Sequence, residues 1–300
     1  MIPLSVVICC ANVGDTLHAA CGSVRPWVDD LVVVDSGSSD ETPAIAHQFA
    51  DRYIVEPWRG YTPQKKYGTS LARHDWVLIL DGDEEVTPPL AREIQNLMAD
   101  AGQLERRDVF AMRRQTWALG RPARGWWPDW QRRLIHRQRA IWPPEIIHDD
   151  RLPSSPQRLG WLQGKLDHKR TSARGFRDLF SGQAEDVRMP LMARELHRLG
   201  RRCHWWDLAL RPPGAFFKSY VLKGGFRDGA FGLIVAQGAA RSVQLKYAAL
   251  WAAQQGQLGP ATNTSDRVSL NSGPAVPRDG VGGTAAGPAD QAAQRETLHG

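Results

Sequence analysis

Three hundred residues with 42% hydrophobic and 23% charged side chains make a globular chain, long enough for one large α/β domain with an appendage or for two small domains. Its 38 bases against 32 acids leave a net charge of +6, which suits an anionic partner: a nucleotide, a phosphorylated glycan, a membrane surface or nucleic acid. Four cysteines, at 9, 10, 21 and 203, have no C-x-x-C spacing, which argues against a zinc knuckle and a disulfide framework, and no apolar run reaches the roughly 20 residues that span a bilayer.

The opening MIPLSVVICCA has neither the basic start nor the long apolar run of a signal peptide, and it reads as a buried strand from Leu4 to Cys10. Cys9 and Cys10 then face opposite ways, as thiols suited to a reducing cytosol. A turn at 12–15 leads into a short helix ending near Val24. Leu31 to Val34 is a second buried strand, stopped by Asp35 and the polar run Ser36-Gly37-Ser38-Ser39. Asp40 caps the next helix, which runs to about Ala50 with Glu41 and Thr42 in its first turn. Arg52 to Val55 forms a third strand, a helix follows from Pro63 to about Ala72, and Trp76 to Leu80 forms the fourth strand. Uniformly apolar strands alternating with helices predict a parallel, Rossmann-like sheet covered on both faces, with ligands at the carboxyl ends of its strands. Asp35, Asp81 and Asp83 all fall at such ends.

Between 108 and 166 the short, Trp- and Arg-rich segments predict an antiparallel extension of the sheet. Residues 173–200 read as a helical linker. The stretch 214–255 reads as basic amphipathic helix, suited either to an anionic membrane or to packing on the preceding domain. From Gln257 onward the Gly-, Ala- and Pro-rich composition predicts disorder.

The stretch HDWVLILDGDEEVTPPL, residues 74–90, places Asp81, Asp83, Glu84 and Glu85 directly after an apolar strand. A nucleoside diphosphate facing two carboxylates is repelled, since unit charges about 4 Å apart interact by roughly 4 kcal/mol near a protein surface. A divalent cation between them reverses the sign, and Mg²⁺ or Mn²⁺ accepts one or two carboxylates together with phosphates and water. Asp81 ends the strand and Asp83 reaches the metal; Glu84 and Glu85 read as shaping the entrance of the helix begun at Pro88. The plainer alternative is a solvated, acid-rich helix start. In VVVDSGSSDET, Asp35 accepts hydrogen bonds from a base or ribose, and the hydroxyls and amides that follow, from Ser36 on, hold the nucleotide.

VVVDSGSSDET, QKK, LDGDEE and GWWPDWQRRLIHR, in that order, resemble the motifs of family 2 glycosyltransferases of GT-A fold. RPPGAFFKSYVLKGGFRDGAFGLIVA is similar to the C-terminal segment of the bacterial lipopolysaccharide core-biosynthesis glucosyltransferases within that family. The resemblance implies an α/β fold: a mixed sheet flanked by helices over residues 1–170, with a nucleotide-sugar half at 1–107 and an acceptor half at 108–170. A helical extension at 171–255 and a tail at 256–300 would follow. It implies inverting, metal-dependent transfer of a sugar, glucose first, from a UDP-sugar to a lipopolysaccharide core or similar lipid-linked or phosphorylated glycan. On this likeness the protein works in the cytoplasm, peripherally on the inner membrane, and binds no nucleic acid.

Residue by residue, the resemblance gives Asp35 the nucleobase, Lys65 the diphosphate, Asp81 the ribose or metal and Asp83 the metal. Asp129 is the first choice for the base that deprotonates the acceptor and Asp149 the second. His148 would touch metal or phosphate, or serve structure. Three positions depart from the family pattern: Val13 follows Asn12 where relatives carry Glu, Lys66 replaces a usual Asn, and Asp149 stands where the subgroup has the longer Glu, which weakens it as a base.

Trp117, Trp126, Trp127, Trp130 and Trp142 lie among Arg113, Arg114, Arg121, Arg124, Arg132 and Arg133, residue types that stack on sugars and pair with phosphate. At least half of these Trp are expected to fill core. Two rival readings are a degenerate transferase that only binds nucleotide or glycan, and a haloacid-dehalogenase-type phosphatase. Against the latter, Glu85 stands where its D-x-D-x-T/V signature needs Thr or Val.

Overall fold

The computed structural model describes residues 1–143, 151–169 and 183–258. Four strands are hydrogen-bonded in parallel: β1 (Leu4–Cys10), β2 (Asp30–Asp35), β3 (Arg52–Val55) and β4 (Trp76–Asp81). They alternate with α1 (Gly14–Val24), α2 (Thr42–Phe49) and α3 (Tyr61–Leu71). Strands β1 and β2 are buried along their whole length, as a sheet sandwiched between helices demands. Cys10 belongs to the apolar cluster on one face and Cys9 to that on the other, so the adjacent thiols do point apart. All four cysteines are buried and none is in a disulfide.

The sheet then turns antiparallel. β8 (Asp129–His136) pairs with β4, and β6 (Val109–Ala118) pairs with β8. β9 (Leu159–Lys169) lies parallel to β6, and β5 (Glu84–Val86) closes the order β3-β2-β1-β4-β8-β6-β9-β5, with β7 (Arg121–Pro122) off the path beside β6. Helices α4 (Pro88–Ala99) and α5 (Ala101–Glu105) complete this part. The result is a mixed α/β sheet flanked by helices, as the motifs predicted. The short strand β5 departs from expectation: Glu84 and Glu85 form a sheet edge rather than a helix entrance, because β9 is there to pair with them.

Among the described residues three C-terminal helices follow: α6 (Gln183–Arg198), α7 (Trp205–Phe217) and α8 (Ala230–Gln254). Helix α7 starts nine residues before the predicted 214, since the Asp207 carboxylate accepts from the His204 amide in a reciprocal cap and Pro212 and Pro213 are tolerated inside the helix. Phe231 and Val235 of α8 cluster with Ala118 and Ala123 of the sheet domain, while Tyr247 and Leu250 cluster with Ala193 and Cys203. Helix α8 is therefore a packing element. No helix among the described residues is long and apolar enough to cross a membrane.

Candidate functional site

Register places the acids. Cys10 of β1 pairs with Asp35 and Cys9 with Asp81, so two carboxylates flank the carboxyl end of the same central strand. Below them Asp40 fastens both neighbouring helices, accepting from Gly14 N at 3.0 Å and from Thr42 N at 3.0 Å. Asn12 Oδ1 accepts from Ser39 N at 2.9 Å, which holds the Ser-rich loop over the strand ends. Val13 is buried where family relatives carry Glu, and a Cβ on Gly82 would stand 2.7 Å from its side chain, so the D-G-D turn needs glycine.

Asp35 is wholly buried and accepts from Tyr53 Oη at 2.7 Å and from the amide and hydroxyl of Ser38. Burial and this carboxylate push the Tyr53 phenol well above its ordinary range. Ser36 Oγ accepts from Gln64 Nε2 at 3.2 Å; Gln64 also accepts from Arg59 N and so pins the loop before α3.

Asp81 does not stand open. Lys65 Nζ lies 2.5 Å from one of its oxygens and Arg133 Nη2 lies 2.6 Å from the other. Burial alone would raise its pKa, but Arg133 and Lys65 override that and hold the carboxyl well below the usual range. Arg133, fully buried, also donates to Glu84 Oε1 at 2.6 Å, and Arg114 Nη1 reaches the same oxygen at 3.1 Å. Arg114 then turns its Nε and Nη2 onto Asp129 Oδ2 at 2.9 and 2.7 Å, and Gln131 Nε2 donates to Asp129 Oδ1 at 2.8 Å. One alternating chain thus runs Lys65–Asp81–Arg133–Glu84–Arg114–Asp129 across the sheet, with the β6–β8 register setting Arg114 opposite Asp129. Arg114 and Arg133, expected to face an acceptor, are internal links of this chain.

Asp83 has a different partner. His168 Nε2 lies 3.1 Å from Asp83 Oδ2, and the ring's Nδ1 meets Thr116 Oγ1 at 3.3 Å. The pairing Glu84↔His168 across β5–β9 and Thr116↔His168 across β6–β9 sets the three residues in one row. A carboxylate beside an imidazole whose far nitrogen is held by a hydroxyl is a donor set that suits a divalent cation. Sequence reasoning missed His168. Its signal was available: Gly160, Leu162, Leu166 and His168 occupy the buried phase of an alternating strand, a place where histidine needs a reason.

Of the five Trp, Trp126 and Trp142 pack against apolar clusters and none is fully buried, so fewer fill core than expected. Arg113 lies over Trp127 and Trp130, and Trp130 meets Trp161 edge-on at 4.7 Å. The C-terminal helices reach the same rim. Ser219 Oγ donates to Gly125 O at 3.1 Å and Arg124 pairs with Asp228 at 2.9 Å. Burial and the neighbouring Lys218 pull the Lys223 ammonium below its ordinary value, against an upward pull from Asp129. Asp149 and His148 lie outside the described residues.

The family model for glycosyl transferase family 2 matches residues 5–154, half of the chain. The chain belongs to glycosyl transferase family 2. The phosphatase reading is thereby set aside. An uncharacterized glycosyltransferase of Rickettsia felis is 41% identical over 103 residues, 34% of this chain and 36% of that protein. The chain's matches thus span about a third of the length of these rickettsial relatives. Over nearly full length, the chain is similar to the lipopolysaccharide core biosynthesis glycosyltransferase LpsC of Rhizobium meliloti, at 27% identity across 89% of this chain and 98% of that protein. Among solved structures, S. aureus TarS 1-349 aligns at 13% identity over 85% of this chain and 92% of that one, with a TM-score of 0.41, too slight a likeness to bear on the fold.

Proposed function

We propose that the protein is an inverting, metal-dependent glycosyltransferase that moves a hexose, glucose first, from a UDP-sugar to a lipopolysaccharide core or similar lipid-linked, phosphorylated glycan at the inner-membrane surface. Family membership and the likeness to LpsC support the reaction class and the acceptor class. The observation that carries the reading is the Asp83–His168 pair at the mouth of β4, beside the Asp35 and Asp81 strand ends.

Asp83 and His168 would hold a divalent cation, with Thr116 fixing the imidazole. An imidazole among oxygen donors favours Mn²⁺ over Mg²⁺. When bound, the ion would neutralise negative charge on a departing diphosphate. The remaining roles belong to the chain. Asp35 and Ser36 receive the nucleoside. Lys65, buried beside Asp81, sets the positive side of the cleft, and Asp81 holds it there. Asp129 takes the acceptor proton, and Arg114 with Gln131 fixes the carboxylate's direction. Asp149 is the second choice for base.

The test is to incubate the protein with UDP-glucose, Mn²⁺ and core-truncated lipopolysaccharide and to follow UDP release. Release that requires both acceptor and metal supports the reading. If no nucleotide sugar is turned over with any core acceptor, the protein is a binding relative that has lost turnover.

A further inference from the structure

Helix α7 is built inside out. Its buried positions are Asp207 and Pro212, continued by Ser219 in the π-helical turn Lys218–Leu222. Outward stand Trp206, Leu210, Pro213 and Phe217, spaced as one helical stripe, with Trp205 beside them and Leu222 continuing the line. Trp205 is 72%, Leu222 71% and Leu210 65% exposed. Large apolar side chains gathered on an outer face carry a hydration cost that a partner relieves.

The charges around the stripe say which partner. Residues 199–227 hold six bases, Arg201, Arg202, Arg211, Lys218, Lys223 and Arg227, and a single acid, Asp207. That acid is buried and its charge is met by Arg211 and the His204 amide, so the other five bases set the outer field. Apolar and aromatic anchors flanked by unopposed cations fit the headgroup–acyl boundary of an anionic bilayer. A second copy fits badly, because a two-fold contact would set this basic face against itself. Segments of the chain itself fit badly too. Residues 259–300 contain no Phe, Trp or Tyr, and residues 170–182 carry three Arg against one Asp.

We infer that the outer face of α7 and the π-helical turn after it form a docking surface for an anionic membrane. The surface is joined to the site, since the same turn carries Ser219, bonded to Gly125, and is followed by Lys223, within electrostatic reach of Asp129. Docking there brings the acceptor rim to the lipid headgroups. This deepens the membrane-side acceptor proposed above, yet its test is independent of turnover.

The full chain is sedimented with vesicles of phosphatidylcholine alone and with vesicles in which a quarter of the lipid is phosphatidylglycerol. It is expected to pellet with the anionic vesicles only. A Leu210→Glu/Phe217→Glu/Leu222→Glu variant, altered only at exposed positions, is expected to lose at least about tenfold in partitioning. Its thermal melt and its Mn²⁺-dependent UDP-glucose binding are expected to stay as in wild type. Wild-type protein remaining in the supernatant at both compositions would overturn the inference. So would equal partitioning of the variant, or a wild-type dimer that the variant converts to monomer. Vesicle binding by a chain that binds no UDP-glucose would support the surface and overturn the donor reading alone.

Discussion

The imidazole of His168 meets the carboxylate of Asp83 at 3.1 Å although 85 residues separate them in the chain. Asp81, only two positions from Asp83, is committed elsewhere, to Lys65 and Arg133. The two aspartates of the D-G-D turn therefore do different work: Asp81 ties the turn into the charged interior, and Asp83 is the one set beside a second metal-type donor.

Thr116 provides a test of that division that does not depend on turnover. Its hydroxyl is the partner of His168 Nδ1, so Thr116→Val frees the ring without touching either donor. Second-sphere losses of this kind weaken metal affinity by about 10–100-fold. Mn²⁺ titration followed by electron paramagnetic resonance is expected to register that loss, with the thermal melt nearly unchanged.

Glu84 should behave as a structural acid. It is wholly buried between Arg133 and Arg114, so Glu84→Ala leaves two guanidinium groups facing an uncompensated gap. Breaking such a buried pair costs about 3–5 kcal/mol. Its neighbour Glu85 pairs with Lys169 at the surface, and Glu85→Ala is expected to cost no more than about 1 kcal/mol. Urea denaturation of the two variants side by side separates the roles.

Asp129→Asn keeps the shape of the site and removes the proton acceptor. Turnover is expected to fall by about 10²–10⁴ while UDP-glucose affinity is retained, a split visible in kcat against donor Kd. Equal activity in this variant would move the role to another residue, Asp149 first.

Acid sensitivity follows from Asp81. Its folded pKa is depressed, mainly because Arg133 and Lys65 outweigh the burial cost. A depressed carboxylate contributes stability that is fully present above its unfolded pKa, about 3.9, and that is lost as pH falls through the lower folded value. Unfolding free energies of wild type and Asp81→Asn are expected to differ at neutral pH and to converge as the solution is acidified below that point.

Much of this was legible from local pattern. Runs such as LSVVICC and WVLILD can only be buried strands, and a strand that ends in Asp fixes where that Asp lies in a parallel sheet. What stayed hidden depends on pairing between distant strands. Nothing near LDGDEE announces that β9 will lie against β5, yet that pairing buries Glu84 and delivers His168. Arg114 and Arg133 read as exposed phosphate binders for the same reason: their acids come from other strands. Helix α7 begins ahead of the predicted 214 because its start rests on a cap between Asp207 and the His204 amide and its interior carries Pro212 and Pro213, none of which gives a strong helix signal in sequence.

The most direct measurement is calorimetric titration of UDP-glucose with and without Mn²⁺ on wild type, Asp83→Ala and His168→Ala. Metal-dependent binding in the wild type, lost in both variants while their folds persist, is the expected result. Binding that ignores Mn²⁺, or that survives both substitutions, would contradict the assignment of Asp83 and His168 as the metal-holding pair of a glycosyltransferase.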